Sequence, residues 1–244
     1  MKKDVIEFDK SDYIEKKNQT LFLINCTVKM SELNEDLESP YANNLKTILK
    51  FKSQSLEDFL PILRSNAILM LYNCIESTVI NIIKNIYFNI NSENITYIDL
   101  NKSFQSLWRD YQFKENMSQP FSGKKAAAIM IKNIICKKVI SFDGNYAHLA
   151  GNADFGTISQ ILEKHCIKLK NGQTTEDIKV TLNNIKTQRN RLAHGNVSFR
   201  EVGKDFSNKD IVKISKQVFK FLEKIIKLEE SFVAKKYYLK NGVN

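Results

Sequence analysis

Leu63-Arg64-Ser65-Asn66-Ala67-Ile68-Leu69-Met70-Leu71-Tyr72-Asn73-Cys74-Ile75-Glu76-Ser77-Thr78 is the stretch that decides the fold class. From here onward Ile68, Tyr72, Ile75, Val79, Ile82, Ile86 and Ile90 recur at steps of three and four, the repeat of one helix face. The spacing predicts a long helix over about 56–90. Ser55-Leu56-Glu57-Asp58 has capping-box spacing at its start, with Ser53 as the other candidate cap. Pro61 falls in the first turns, where a helix tolerates it. Glu76 lies one turn from both Tyr72 and Val79–Ile80, on or beside the apolar face, and a carboxylate buried there needs a partner.

Working outward, the same period predicts helices on both sides. Residues near 10–35 form an amphipathic candidate, with Ile14, Leu21, Phe22, Ile24 and Val28 as its apolar positions. Glu38-Ser39-Pro40 breaks it, and a short helix over about 41–51 follows. Residues 100–117 and 123–140 read as two more helices, and Phe142-Asp143-Gly144-Asn145 as a turn. The segment 141–155 is irregular, with room for a short strand. A helix over 154–170 ends at Asn171-Gly172, Thr174 or Thr175 caps another over 176–194, and Gly195 is placed as its C′ residue. Ser207-Asn208-Lys209-Asp210 opens a last helix, to about Leu239, with Ile211, Ile214, Val218, Leu222, Ile225 and Phe232 inside. With 8 glycines and 3 prolines in 244 residues, turns are too few for compact β architecture. The expected class is all-α, one domain over 1–244.

Charge is distributed unevenly. Residues 1–122 carry 14 basic and 16 acidic side chains, a balance of −2, and residues 123–244 carry 23 and 11, a balance of +12. Two readings fit: a polyanionic partner whose counterions the lysines displace, or solvated helix exteriors. Lys124, Lys125, Lys132, Lys137 and Lys138 form an acid-free run within 123–140 and are the candidate RNA-binding lysines. Cys26, Cys74, Cys136 and Cys166 show no CxxC pairing and His165-Cys166 has no second ligand pair, so no metal is expected and the thiols should be reduced. Met1-Lys2-Lys3-Asp4 leads into polar residues rather than a signal core. Asn66–Ile83 is the best membrane candidate but is interrupted by Asn66, Asn73, Glu76 and Asn81, so no membrane partner is expected.

The chemistry concentrates in Thr187-Gln188-Arg189-Asn190-Arg191-Leu192-Ala193-His194-Gly195. Arg189 falls on the apolar stripe of Ile178, Leu182, Ile185 and Leu192, where an arginine is either paired inside or faces another protein surface. Asn190 and His194 are four apart and share a face. Arg189 and His194 are separated by about 140° around a regular helix. One helix alone therefore does not close an Arg–His site, whereas two copies facing each other across a symmetric interface would. His194 sits at a helix C-terminus, where the macrodipole favours its protonated form, and an imidazole can serve as base in one step and acid in the next. The spacing alone also allows Asn190 and His194 to cap the helix while Arg189 pairs with Glu76.

Arg189-Asn190-Arg191-Leu192-Ala193-His194-Gly195 closely resembles the Arg-x4–6-His signature of the HEPN superfamily (higher eukaryotes and prokaryotes nucleotide-binding domains), with the polar residue after the arginine present as Asn190. Val197-Ser198-Phe199-Arg200-Glu201-Val202-Gly203 before a terminal helix, and the run Leu63–Thr78 quoted above, look like one prokaryotic subgroup of stand-alone HEPN proteins. The resemblance covers roughly 55–235, leaving 1–50 as an N-terminal helical extension. It implies an antiparallel helical bundle that dimerises, with the motif helices lining a shared cleft. It also implies a metal-independent endoribonuclease, a toxin or anti-phage defence effector, with no cofactor. Arg189, Asn190 and His194 would be catalytic, with Glu76 and Arg191 in support. The implied partners are RNA, a second copy and an antitoxin or defence-system protein, in the cytoplasm. A non-catalytic HEPN module that binds nucleotide or RNA, or assists assembly, is the alternative. HEPN toxins controlled by nucleotidyltransferases often carry a tyrosine two positions after the histidine; Asn196 stands there, so control by nucleotide modification at that site is not implied.

Remaining candidates read as structural. Asp154-Phe155-Gly156 has no companion kinase motif and marks a helix entry. His148 and His165 have no partner pattern, and Trp108 with most phenylalanines belongs to the core.

Overall fold

A helix with an apolar face must bury it against another such face, and four long helices do so here. The computed structural model describes residues 5–36, 39–50, 55–117, 123–144, 149, 151–169, 176–195 and 197–242. Among them are nine α-helices: α1 Ser11–Glu35, α2 Pro40–Ile48, α3 Leu56–Ser92, α4 Lys102–Met117, α5 Gly123–Ile135, α6 Phe155–Lys164, α7 Glu176–Ala193, α8 Phe199–Lys204 and α9 Asn208–Ala234. The fold is all-α. Among the described residues the β-type pairings are the single bridges Thr96–Val139 and Leu100–Leu239, neither of them within 141–155. Ser53, Asn145, His148, Asn171, Gly172, Thr174, Thr175 and Asn196 lie outside the described residues.

Helix α3 forms the axis of the bundle. All seven residues of its predicted stripe are buried, and the Asp58 carboxylate accepts the Ser55 N–H at 3.1 Å to start it. It is long and apolar enough to cross a membrane, but its apolar side chains pack against α1, α7, α8 and α9. Helix directions follow from cross-helix hydrogen bonds. Arg64 bonds Asn208 and Asn85 bonds Glu229, both 144 residues apart, so α3 and α9 run parallel in constant register. Thr181 bonds Gln217 and Arg191 pairs with Asp205, so α7 runs antiparallel to α9. On the other side α1 runs antiparallel to both, through Asn81–Asp12, Lys10–Glu230 and Lys17–Glu223.

The buried face of α1 differs from the one its apolar residues predict. Ile14, Leu21 and Phe22 are exposed, while Tyr13, Thr20, Ile24, Thr27 and Ser31 face inward. Thr20 and Thr27 donate to the carbonyls of Lys16 and Leu23, at 2.7 and 2.8 Å, so these small polar side chains satisfy themselves when buried.

Helix α8 is not among the elements the period predicts, although Ser198-Phe199-Arg200-Glu201 has capping-box spacing and Ser198 N donates to Glu201 Oε2 at 2.7 Å. It crosses α3 backbone to backbone: a Cβ on Gly203 would overlap the carbonyl of Pro61. Arg64 then donates to the carbonyls of Gly203 and Phe206, at 3.3 and 2.8 Å, satisfying acceptors the short helix leaves open.

Three helices stop earlier than the period predicts, each at a residue with positive φ. Lys137 (φ 50°) follows α5, Cys166 (φ 61°) follows α6 and Lys236 (φ 51°) follows α9. After α9 the chain folds back so that the Tyr238 ring is buried and its hydroxyl bonds Glu93. The four cysteines are free; Cys74 is buried, but Cys136 is exposed rather than packed.

Candidate functional site

The motif occupies the last two turns of α7. Its apolar residues Ile178, Leu182, Ile185 and Leu192 are buried, as the stripe requires. Arg189, on the same stripe, is half-buried and meets α3 through an aromatic ring rather than a carboxylate: its Cζ lies 4.7 Å from the centroid of Tyr72. Nη1 donates to Asn190 Oδ1 at 3.1 Å. On another side the guanidinium meets the backbone of Gly151, where a Cβ would come within 3.2 Å of Nη1. Gly151 also has φ +74°, a conformation glycine adopts freely and other residues only under strain.

The loop that carries Gly151 is tethered twice. Ala153 N donates to Tyr72 Oη at 3.3 Å, and Asp154 holds Lys186 Nζ at 2.6 Å. Asp154 also caps α6 by accepting from Thr157 N at 2.8 Å, so Asp154-Phe155-Gly156 is a helix entry. Burial opposes ionisation of Asp154, yet the Lys186 ammonium and the Thr157 donors hold its carboxyl below the usual carboxylate range. Burial pushes the Tyr72 phenol up, against the pull of the Ala153 N–H and the Arg189 charge. A neutral ring thus stands under a fixed cation, and Nη1 is the only guanidinium nitrogen engaged by a described residue. The free N–H groups suit a phosphate.

The structure brings Arg189 and Asn190 together and sets the other expected residues apart. The expected contact between Glu76 and Arg189 is absent: no ion pair joins them among the described residues, because the guanidinium lies over Tyr72, one turn earlier on α3. The Glu76 charge adds to the upward push that burial gives the Tyr72 phenol. Arg191 is engaged elsewhere, donating to Gln188 Oε1 at 2.7 Å and reaching Asp205 Oδ2 at 3.5 Å, which ties α7 to the segment before α9.

His194 is exposed and follows the last residue of α7. Its backbone N–H still reaches the Asn190 carbonyl at 3.1 Å, which extends the helical ladder by a residue. Gly195 then turns the chain at φ +67°, with its N–H on the Leu192 carbonyl at 3.1 Å, the C′ geometry expected of it. Among the described residues nothing bonds the His194 ring.

The five lysines expected to meet RNA are all exposed, and none of them is on a helix that carries the motif site. Lys137 and Lys138 precede Val139, which bridges Thr96 beyond the C-terminal end of α3. Tyr72 is 20 residues before that end, roughly 30 Å along a helix. Lys124, Lys125 and Lys132 lie on α5, which packs mainly on α4. Within one chain Lys137 and Lys138 do not join the Arg189 site.

Two contributors escape sequence reasoning. Tyr72 is visible there only as one more member of the α3 stripe, and Gly151 only as one of few glycines in an irregular segment. His165, by contrast, is a core histidine, as its lack of a partner pattern suggests. Its Nδ1 faces the Ile161 carbonyl at 2.8 Å and its Nε2 the Tyr87 hydroxyl at 2.8 Å, so Nδ1 carries the proton and Nε2 accepts. Among the described residues no three His, Cys, Asp or Glu side chains cluster as metal ligands.

A family model described as MAE_28990-like HEPN matches residues 29–238. The match begins within α1, earlier than the resemblance carried by residues 55–235. No curated protein and no solved structure matches the chain.

Proposed function

Because the chain belongs to the MAE_28990-like HEPN family, we propose that it is a metal-independent endoribonuclease whose active site is completed by a second copy. The observation that carries this reading is the state of Arg189: a guanidinium held on Tyr72, braced by Asn190 and Gly151, with Nη1 its only nitrogen hydrogen-bonded among the described residues. A cation fixed before substrate arrives costs no reorganisation when charge builds on a phosphate.

The reaction is transfer within the RNA strand. The ribose 2′-oxygen attacks the adjacent phosphorus as its proton leaves to a base. The bond from phosphorus to the 5′-oxygen breaks, and an acid returns a proton to that oxygen. The products are a 2′,3′-cyclic phosphate and a 5′-hydroxyl, with no water consumed. Arg189 neutralises the equatorial oxygens, and His194 handles the proton. Asn190 positions Arg189, since its side-chain oxygen accepts from Nη1. Arg191 supports the site only by anchoring α7.

Arg189 is directed at α3 while His194 is exposed at the helix end, so a symmetric pair with facing α7 termini would join the arginine of one chain to the histidine of the other. The cellular role that fits is a cytoplasmic toxin or phage-defence effector restrained by a partner protein. A second reading, an RNA-binding module without turnover, draws on the unbonded His194 ring. RNA cleavage in excess EDTA separates them: wild type should cut, leaving cyclic phosphate ends, and Arg189→Ala and His194→Ala should each lose about 100-fold or more. Cutting by both variants at the wild-type rate would remove the assignment, and binding without cutting by wild type would favour the module.

A further inference from the structure

Lys209, Lys213, Lys216 and Lys220 recur along α9 at steps of four, three and four, and all four are exposed. They form one row on one face, each a turn from the next. None has a carboxylate within ion-pair distance among the described residues, and only Lys213 feels a nearby one, that of Asp210. This separates them from Lys10, Lys16, Lys17, Lys186 and Lys236, each of which holds a carboxylate within 2.9 Å. Asp210, the acid interspersed in the row, is bound to Ser207 through both its backbone N–H and its hydroxyl, at 2.8 and 2.6 Å.

A surface groove of about 540 Å³ runs beside the row, lined by Lys209, Lys213 and Lys216 together with Val28 of α1 and Val212 and Gln217 of α9. It therefore has apolar walls and a cationic rim. Its position relative to the motif follows from the antiparallel register of α7 and α9. The Arg191–Asp205 contact ties the motif end of α7 to the segment just before α9. The row begins at that end and runs away from it for roughly 16 Å, at 1.5 Å per residue.

We propose that this row is a docking track for single-stranded RNA, leading the strand toward the end of the bundle that carries Arg189 and His194. The inference rests on the reading of the chain as an RNA-cleaving HEPN protein and adds where the substrate lies. One line of ammonium groups neutralises one backbone, and the apolar wall beside it takes the sugar and base faces that a single strand exposes and a duplex conceals.

The test is the salt dependence of binding to a labelled single-stranded RNA of about 20 nucleotides, measured by fluorescence anisotropy on His194→Ala protein so that the strand stays intact. Each phosphate contact contributes about 0.7 to the slope of log K against log salt for single strands. Replacing Lys209, Lys213, Lys216 and Lys220 by Gln should lower that slope by about 3. The same replacement at Lys124, Lys125, Lys132, Lys137 and Lys138 should leave it within about 1. With His194 restored, the α9 variant should keep kcat and raise KM on the long strand. Equal loss of slope in both variants, or no loss in the α9 variant while wild type binds and cuts RNA, would overturn the track and leave the nuclease reading intact. Wild type that neither binds nor cuts RNA would overturn both. A thermal melt matching wild type confirms that the α9 variant is folded.

Discussion

The guanidinium of Arg189 stacks on Tyr72, with Cζ 4.7 Å from the ring centroid, and so couples the motif helix to the central helix of the bundle. A desolvated cation–π contact contributes about 2 kcal/mol. Here it also fixes the direction of a side chain that would otherwise retain much of its rotamer freedom. Tyr72 is thus a positioning residue for Arg189.

Replacing Tyr72 by Phe keeps the ring and removes the bond from Ala153, whereas Leu removes the ring. Tyr72→Phe should retain cleavage within about threefold, and Tyr72→Leu should lower kcat by about 3- to 30-fold, the range of about 0.5–2 kcal/mol. Single-turnover rates on one RNA, at a temperature where both variants are folded, check this. Equal rates for the two variants would show that the ring face does not matter.

Gly151 combines a positive φ with contact to the guanidinium. Gly151→Ala should cost about 1–2 kcal/mol of stability from its backbone alone. It should also displace Arg189, so activity should fall further than the lost stability explains. A comparison is Gly195→Ala, where φ is +67° but the added methyl meets open space. Denaturant melts paired with cleavage rates separate the two effects. Activity loss no greater in Gly151→Ala than in Gly195→Ala would argue against the guanidinium contact.

Two buried groups give stability an opposed pH dependence. Burial pushes the Glu229 carboxyl up to about 7 from 4.5; Asn85 donates to its Oε1 at 2.8 Å, and Oε2 has no partner among the described residues. A raised pKa means the stability is fully present below about 4.5 and is lost as pH rises through about 7. His165 behaves oppositely: burial lowers it to about 4 from 6.5, so its stability is present above 6.5 and is lost as pH falls toward 4. Glu229→Gln should therefore stabilise the protein at pH 8, by about 3 kcal/mol at most, and change little at pH 4. Melts at the two pH values decide it; an equal shift at both would mean that the carboxyl does not titrate in that window.

The bundle is largely legible in the sequence because its cause is local. The three-and-four spacing from Ile68 to Ile90 marks a face that has to be buried, and the acidic partner of each capping box, such as Asp58 or Asp210, lies three residues from its serine. The period misleads where tertiary contacts override it. Phe22 looks like core and is exposed, since Thr20 and Thr27 bury themselves by bonding their own helix. The last helix stops at Ala234 because the chain turns back to bury Tyr238. The motif is legible as residue types, but its surroundings are not. Tyr72 and Gly151 meet Arg189 only once α3, α7 and the loop before α6 have packed, and no spacing rule spans that separation.

The central claim is that one site draws Arg189 from one chain and His194 from the other, and mixing the two inactive variants tests it most directly. Arg189→Ala and His194→Ala proteins, co-refolded in equal amounts, should regain about a quarter of wild-type RNA cleavage, because half the pairs are mixed and each mixed pair carries one intact site of two. A mixture that stays as inactive as its components, while wild type cuts RNA and the pairs demonstrably exchange, would contradict the shared site.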